Sequence, residues 1–338
     1  MKKNTHILLG HGSGGSLSHE LIRQVFVKAF NNPILNQQGD AALLTMASGR
    51  LAFTTDSYVV DPLFFPGGDI GKLAVAGTVN DLSVAGAVPL FISAAFIIEE
   101  GLLIETLEKV VQSMADEAKK AGVHIVTGDT KVVERGKCDK LFINTAGIGQ
   151  INEMPALEKG IHQIKMGDKL IINGSLGDHG MAVMAARNAL NLQAPIDSDC
   201  ASLNHLIQAL QPNEAVHFMR DATRGGLATV VAELCEDQKF GIKLMEDQIP
   251  VKESVRGICE LLGFDPLYVA NEGKVLMVVD ASYADDVLLQ LKNHPLGKDA
   301  SIIGEIVAEH PSKAWLQTTY GGNRMVDMLA GEQLPRIC

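Results

Sequence analysis

Apolar stretches of strand length alternate with stretches of helical period along this chain, and the alternation starts twice. This double start constrains the fold more than any single motif, because strands alternating with helices bury their apolar faces only as packed layers. In the first half, 51–55 reads as a strand, 58–68 as a loop with Pro and Gly near its end, 70–85 as a helix and 91–98 as extended chain. Leu103, Leu107, Val110, Val111, Met114, Ala118 and Ala121 then recur at helical spacing until Gly122, and 124–127 and 141–148 read as strands. A polar, Pro-containing connection covers 152–167. The second series has strands at 169–173, 242–245, 275–280 and 302–307, and helices at 179–190, 202–210, 226–235 and 284–291. From Gly321 onward no core period is visible. The pattern predicts a mixed α/β (α+β) architecture with a first domain over 1–155, a second over 156–320, and a C-terminal tail over 321–338. A length of 338 residues suits two domains.

The formal net charge of -11 argues against a nucleic-acid groove, which needs a basic surface. The 5 cysteines are odd in number, widely spaced and without a CxxC pair, so reduced thiols in a cytoplasmic protein are expected. The N-terminal Met-Lys-Lys-Asn-Thr-His lacks the apolar run of a signal peptide. The most membrane-like stretch, 82–98, contains Gly86 and Pro89 and falls short of the roughly 20 residues a span needs. It reads as a helix end, a turn and a core strand, and no membrane partner is expected.

Gly10-His-Gly-Ser-Gly-Gly15 follows Ile7-Leu8-Leu9 and formally satisfies GxGxxG. A dinucleotide site also wants an acidic residue about 20 positions later. Positions 28–38 supply Lys, Asn, Pro and Gln instead, and Asp40 arrives late. A phosphate-covering loop is the better use of Gly12, Gly14 and Gly15, with a plain surface loop as the alternative. Gly67-Gly-Asp-Ile-Gly71-Lys72 misses the P-loop spacing. Five aspartates stand near strand ends or glycines: Asp40, Asp56, Asp81, Asp129 and Asp221. Such carboxylates can surround magnesium and a triphosphate if the fold converges them, although each alone is as readily a turn former or helix cap.

Taken together, Gly10–Gly15, Thr54-Thr-Asp56, Val79-Asn-Asp81-Leu, Gly128-Asp-Thr-Lys131, Asp221-Ala-Thr-Arg-Gly-Gly226, Asn271-Glu-Gly273 and the terminal Pro335-Arg-Ile-Cys338 resemble the HypE family of hydrogenase maturation factors. That family lies in the superfamily of aminoimidazole ribonucleotide synthetase and selenophosphate synthetase. The resemblance covers essentially the whole chain, and the Pro-Arg-Ile-Cys end is its most specific part. It implies a two-domain PurM-like fold with a mobile C-terminal tail, a homodimer formed through the N-terminal domains, and ATP with Mg²⁺ between subunits. By motif, the five aspartates are the metal-side candidates, and Asp40 stands alone where many relatives have a pair of carboxylates. Lys72 and Lys131 are phosphate-side candidates, and Asn80, Thr130, Gly12, Gly14 and Gly15 would line the nucleotide. The implied reaction is ATP-dependent dehydration of an S-carbamoyl group on Cys338 to S-cyanide, for the cyanide ligands of [NiFe]-hydrogenase iron. The carbamoyltransferase HypF is the implied donor and the HypC–HypD complex the implied acceptor.

The chemistry accounts for the residue types. Oxide is a poor leaving group, so the thiocarbamate oxygen must be phosphorylated before it departs, and the nitrogen protons need an acceptor. Cys338 supplies sulfur on a chain end that can reach outward and fold back, with Arg336 opposing the α-carboxylate that disfavours a thiolate. Glu272 and His179 are the proton-handling candidates, beside Lys131 on the phosphate. The rival enzyme is a selenophosphate or aminoimidazole ribonucleotide synthetase. No Cys precedes Cys138 to serve the first, and the second has no use for Cys338. A non-catalytic scaffold docking by its tail is the rival from another class.

Overall fold

The computed structural model describes residues 5–13, 15–38, 41–46, 49–151, 160–187, 196–210, 213–328, 334 and 336–338. Asp40, Gly14 and Pro335 lie outside these residues. The first half holds a four-stranded sheet in the order β1-β6-β4-β5, built from β1 (Leu51–Tyr58), β4 (Ala87–Glu99), β5 (His124–Val133) and β6 (Leu141–Ile151). β4 pairs antiparallel with β6 and parallel with β5, while β1 pairs antiparallel with β6. The short strands β2 (Phe64–Phe65) and β3 (Gly68–Asp69) form a hairpin that delivers the chain into the next helix.

One face of this sheet is covered by helices. A helical run begins with α1 (Ser16–Leu21) and continues through Ile22–Val27 and Lys28–Phe30. α2 (Ile70–Val84) packs on β1, β4 and β6, and α3 (Ile104–Ala121) packs on α2. Asp69 caps α2, accepting from Gly71 N at 2.7 Å and Lys72 N at 3.2 Å. α2 is buried nearly all round, so small residues decide how closely it is approached. A Cβ on Gly71 would fall 2.3 Å from Val110 O of α3, and one on Gly77 would fall 2.3 Å from Tyr58 Oη of β1. α3 buries one stripe, Leu107, Val110, Val111 and Met114 continued by Glu117, Ala118 and Ala121, and ends on Gly122 in the left-handed region. The opposite face of the sheet carries exposed Leu51, Phe53 and Ile97.

The second half holds a seven-stranded sheet in the order β13-β12-β9-β11-β7-β10-β8. Its strands are β7 (Lys169–Ile172), β8 (Val216–Asp221), β9 (Gly241–Met245), β10 (Val275–Val279), β11 (Ser301–Val307), β12 (Ala314–Gln317) and β13 (Asn323–Val326). Its helices are α4 (Asp178–Ala186), α5 (Asn204–Gln208), α6 (Gly226–Cys235), α7 (Glu253–Leu262) and α8 (Ala284–Lys292). Four residues at 323–326, expected to begin the tail, instead close one edge of this sheet against β12. Asn-Arg-Met-Val leaves no period-2 signal because three of its four residues are exposed. Met181, Ala182, Val183, Val255, Val269, Leu334 and Ile337 join the core cluster of the first half, so α4, α7 and the chain end seal the two halves together. Among the described residues, no helix is long and apolar enough to cross a membrane.

Candidate active site

β1 and α2 build the floor of a cavity of about 530 Å³. Strand alternation turns Thr54, Asp56 and Tyr58 toward α2, where Gly77 and Asp81 share a helix face four residues apart. Thr54 Oγ1 donates to Asp81 Oδ2 at 2.8 Å, and Tyr58 packs against Gly77. The end of β8 supplies Asp221 with Arg220, and the following turn supplies Thr223 and Arg224. Glu272 enters from the segment before β10, and Cys338 completes the lining. Four expected carboxylates and the terminal thiol, spread over 283 positions of sequence from Asp56 to Cys338, therefore share one cavity. Arg220, Thr223 and Arg224 were absent from the expected site. They lie inside the Asp221-Ala-Thr-Arg-Gly-Gly226 motif, and the signal for them was the pairing of cations with an acid at one turn.

The carboxylates raise one another's affinity for protons. Burial, then the charges of Asp221 and Asp56, push Asp81 up to about 6 despite the Thr54 hydrogen bond. Burial likewise raises Asp221. Glu272 is pushed well above the usual carboxylate range by burial and by the charges of Asp199, Asp221, Asp56 and Asp81. Among the described residues no hydrogen bond holds its carboxyl, which faces the cavity.

The chain end is docked. Val59 N donates to Cys338 O at 3.1 Å and Asp61 N to Arg336 O at 3.2 Å, an antiparallel pairing that continues from β1. Arg187 donates from Nε to Asp61 O at 2.7 Å and from Nη2 to Arg336 O at 2.6 Å. Arg336 in turn pairs with Asp139 at 2.6 Å. His179, expected beside the thiol as a proton carrier, lies fully buried beneath the tail. Its Nε2 is 2.6 Å from Ile337 O and its Nδ1 2.9 Å from Ser198 Oγ, while Phe65 packs edge-on to the ring. Burial lowers its pKa, so a neutral imidazole with both nitrogens engaged latches the tail.

Other expected residues stand elsewhere. Asp129, Thr130 and Lys131 line a separate cavity of about 210 Å³ with His11, Gly12 and an apolar wall including Phe26 and Phe96. Lys131 Nζ is 3.0 Å from Asp129 Oδ1 and lowers the Asp129 pKa. This cavity belongs to β5, the sheet edge opposite β1. Gly12 packs so tightly on β5 that a Cβ would fall 2.5 Å from Val132 N, whereas Gly15 faces open space. Lys72 donates to Gly67 O at 2.9 Å and lines a third cavity, of about 380 Å³, with Asp199 and Lys274. The Asn80 amide is spent on main chain, donating to Ala201 O and Glu272 O and accepting from Leu203 N. Cys138 is half-buried in the turn before β6, while Cys200, Cys235 and Cys259 are buried.

Comparison with known proteins places this architecture. Residues 38–151 match the N-terminal domain and residues 165–317 the C-terminal domain of the AIR synthase related proteins. Carbamoyl dehydratase HypE of Escherichia coli (strain K12) is 51% identical over 339 residues, covering 98% of this chain and 99% of that protein. A crystal structure of hydrogenase maturation protein HypE in complex with ATP is 47% identical and superposes with a TM-score of 0.92, covering 98% of this chain and 99% of that one. The HypE chain in a crystal structure of a HypE–HypF complex is 51% identical with a TM-score of 0.78, over 93% of this chain and 100% of that one.

Proposed function

This chain belongs to the HypE family of carbamoyl dehydratases, proteins of hydrogenase maturation, and from that premise we propose how its own residues carry the reaction. The observation that supports the assignment best is the shared cavity: Cys338 and Glu272 line the same space as Asp56, Asp81 and Asp221. Cys338 Sγ bears the carbamoyl group, received from HypF, the protein with which a relative forms the solved complex. The carbamoyl oxygen attacks the γ-phosphorus of ATP and ADP leaves. The C–O bond then breaks with phosphate as leaving group while the nitrogen gives up its two protons. Carbamoyl and ATP become S-cyanide, ADP, inorganic phosphate and one proton. Glu272 is the proton acceptor, because a carboxyl with raised proton affinity and no hydrogen-bond partner is suited to taking a proton from nitrogen. The cyanide passes to the HypC–HypD complex.

The donor set fits Mg²⁺. Asp56, Asp81 and Asp221 are hard oxygen donors whose mutual repulsion marks a place short of positive charge. Among the described residues, no three His, Cys, Asp or Glu lie close enough to hold an ion unaided. That suits magnesium, which keeps waters and phosphate oxygens among its ligands. When bound, the ion would neutralise phosphate charge. Arg220 and Arg224 face the same developing charge from the turn after β8.

A second copy of the chain completes the site. The uncovered sheet face carries Phe53, 71% exposed, with Leu51 and Ile97. A two-fold axis running along the strands between two such faces lays β1 of one protomer over β5 of its partner. Asp129, Thr130 and Lys131 of that second copy would then lie over the edge strand β1 that carries Asp56. The test is single turnover: carbamoylated protein with Mg-ATP loses the mass of one water from its C-terminal peptide, and Cys338→Ala binds ATP but accepts no carbamoyl. A tail peptide unchanged in mass, with ATP bound and intact, would favour the scaffold alternative.

A further inference from the structure

Among the described residues Glu272 is held through its main chain alone, and a residue outside the catalytic cavity does part of the holding. Asp199 Oδ1 accepts from Glu272 N at 3.2 Å, and Asp199 Oδ2 accepts from Gly273 N at 3.1 Å and from Lys274 Nζ at 2.9 Å. The Asp199 side chain is 3% exposed and that of Lys274 10%. Burial works against its charge, but the Lys274 ammonium and these hydrogen bonds hold Asp199 below the usual carboxylate range. On the other side of the residue, Glu272 O accepts from Ala201 N at 3.4 Å and Asn80 Nδ2 at 3.3 Å. A Cβ at Gly273 would fall 2.0 Å from Asp199 O, so the segment carrying Asp199 and the Glu272 loop are in direct main-chain contact. Among the described residues nothing anchors the Glu272 carboxyl itself, so its aim into the cavity is inherited from these contacts.

We propose that Asp199 is a positioning residue for carbamoyl dehydration: with Lys274 as counter-ion, its carboxylate fixes the Glu272–Gly273 main chain and so aims the Glu272 carboxyl at the group on Cys338. Asn80 adds a link to the phosphate side, since its neighbour Asp81 on α2 lines the cavity while Asn80 grips the Glu272 carbonyl. The proposal rests on Glu272 being the proton acceptor, and the experiment separates the two.

Full-length carbamoylated protein is mixed with Mg-ATP in single turnover, and the water lost from the C-terminal peptide is followed by mass. Asp199→Asn keeps the size of the side chain but loses its charge and one acceptor. The dehydration rate constant is expected to fall about 10- to 100-fold, the scale of a misplaced catalytic group. The ATP concentration giving half the maximal rate should stay within about twofold, since uniform binding is untouched. Because this change strands the Lys274 ammonium, Asp199→Asn/Lys274→Met is measured beside it. The double variant should regain thermal stability and remain slow. A wild-type rate in either variant while Glu272→Gln is inert overturns the positioning role and leaves Glu272 in place. A loss of rate matched by a proportional weakening of ATP also overturns it. Normal turnover by Glu272→Gln overturns both assignments.

Discussion

Asp81→Asn should make the nucleotide-free protein more stable while weakening Mg-ATP binding. Asp81 is pushed from 3.8 up to about 6, so between those values the native chain holds a proton that the unfolded chain has released. Stability therefore falls as pH rises through that window, and the full cost is present above about pH 7. At 1.36 kcal/mol per unit, the shift corresponds to about 3 kcal/mol. Solvent screening of this half-buried group reduces it to about 1–2 kcal/mol. Asparagine cannot ionise, yet its Oδ1 can still accept the Thr54 hydrogen bond made at 2.8 Å. Thermal unfolding without nucleotide or magnesium should show the variant close to wild type near pH 3.5, below both values. At pH 8 its Tm should lie a few degrees higher, about 2–4 °C per kcal/mol for a chain of several hundred residues. Adding Mg-ATP should reverse the ranking, because the wild type gains more from binding. An Asn variant no more stable than wild type at pH 8, or equally advantaged at both pH values, would refute the reasoning.

His179→Ala should release the tail: the Ile337 carbonyl loses its partner, at a cost of about 1–3 kcal/mol to the docked state. Carboxypeptidase should then remove Cys338 faster, as read by intact mass, while ATP affinity stays unchanged; equal digestion rates would argue against the latch. Phe53→Asp should leave the far-UV circular dichroism unchanged, because the side chain is 71% exposed. It should convert the proposed dimer to monomer in sedimentation and abolish dehydration, and a dimer that persists would place the interface on another surface.

The helices and central strands were legible because their periods are long and strict. α3 is the plainest case, with its buried stripe and its Gly122 stop. β8 escaped notice although it carries Asp221, since Val216-His-Phe-Met-Arg-Asp221 mixes a buried His with exposed Arg220 and shows no clean alternation. α7 was missed because only Val255, Ile258 and Cys259 of its ten residues are buried. The convergence of Asp56, Asp81 and Asp221 could not be read from spacing, because it depends on β1 lying across α2 and β8 meeting the same helix. Asp199 gave no signal at all. It works through main-chain N–H groups, and no sequence pattern records which amide a carboxylate will cap. His179 has its place beneath Ile337 through burial, which its position in the sequence does not record.

As the proposed acceptor, Cys338 has two places to serve. A thiol within the core would reach the carboxylate cavity but no carbamoyl donor, and a thiol on the surface would reach the donor but no phosphate. The docked tail makes a small set of polar contacts through Val59, Asp61, His179 and Arg187, each worth about 0.5–1.5 kcal/mol net. Buried Leu334 and Ile337 add apolar contact, at about 1.5–3 kcal/mol for a fully buried side chain. Against these stands the cost of ordering the chain, about 1–2 kcal/mol per residue. The two sides are of similar size, so docking is reversible at little cost. With the tail docked, Cys338 packs against the core and lines the cavity, so docking brings the proposed acceptor to the carboxylates.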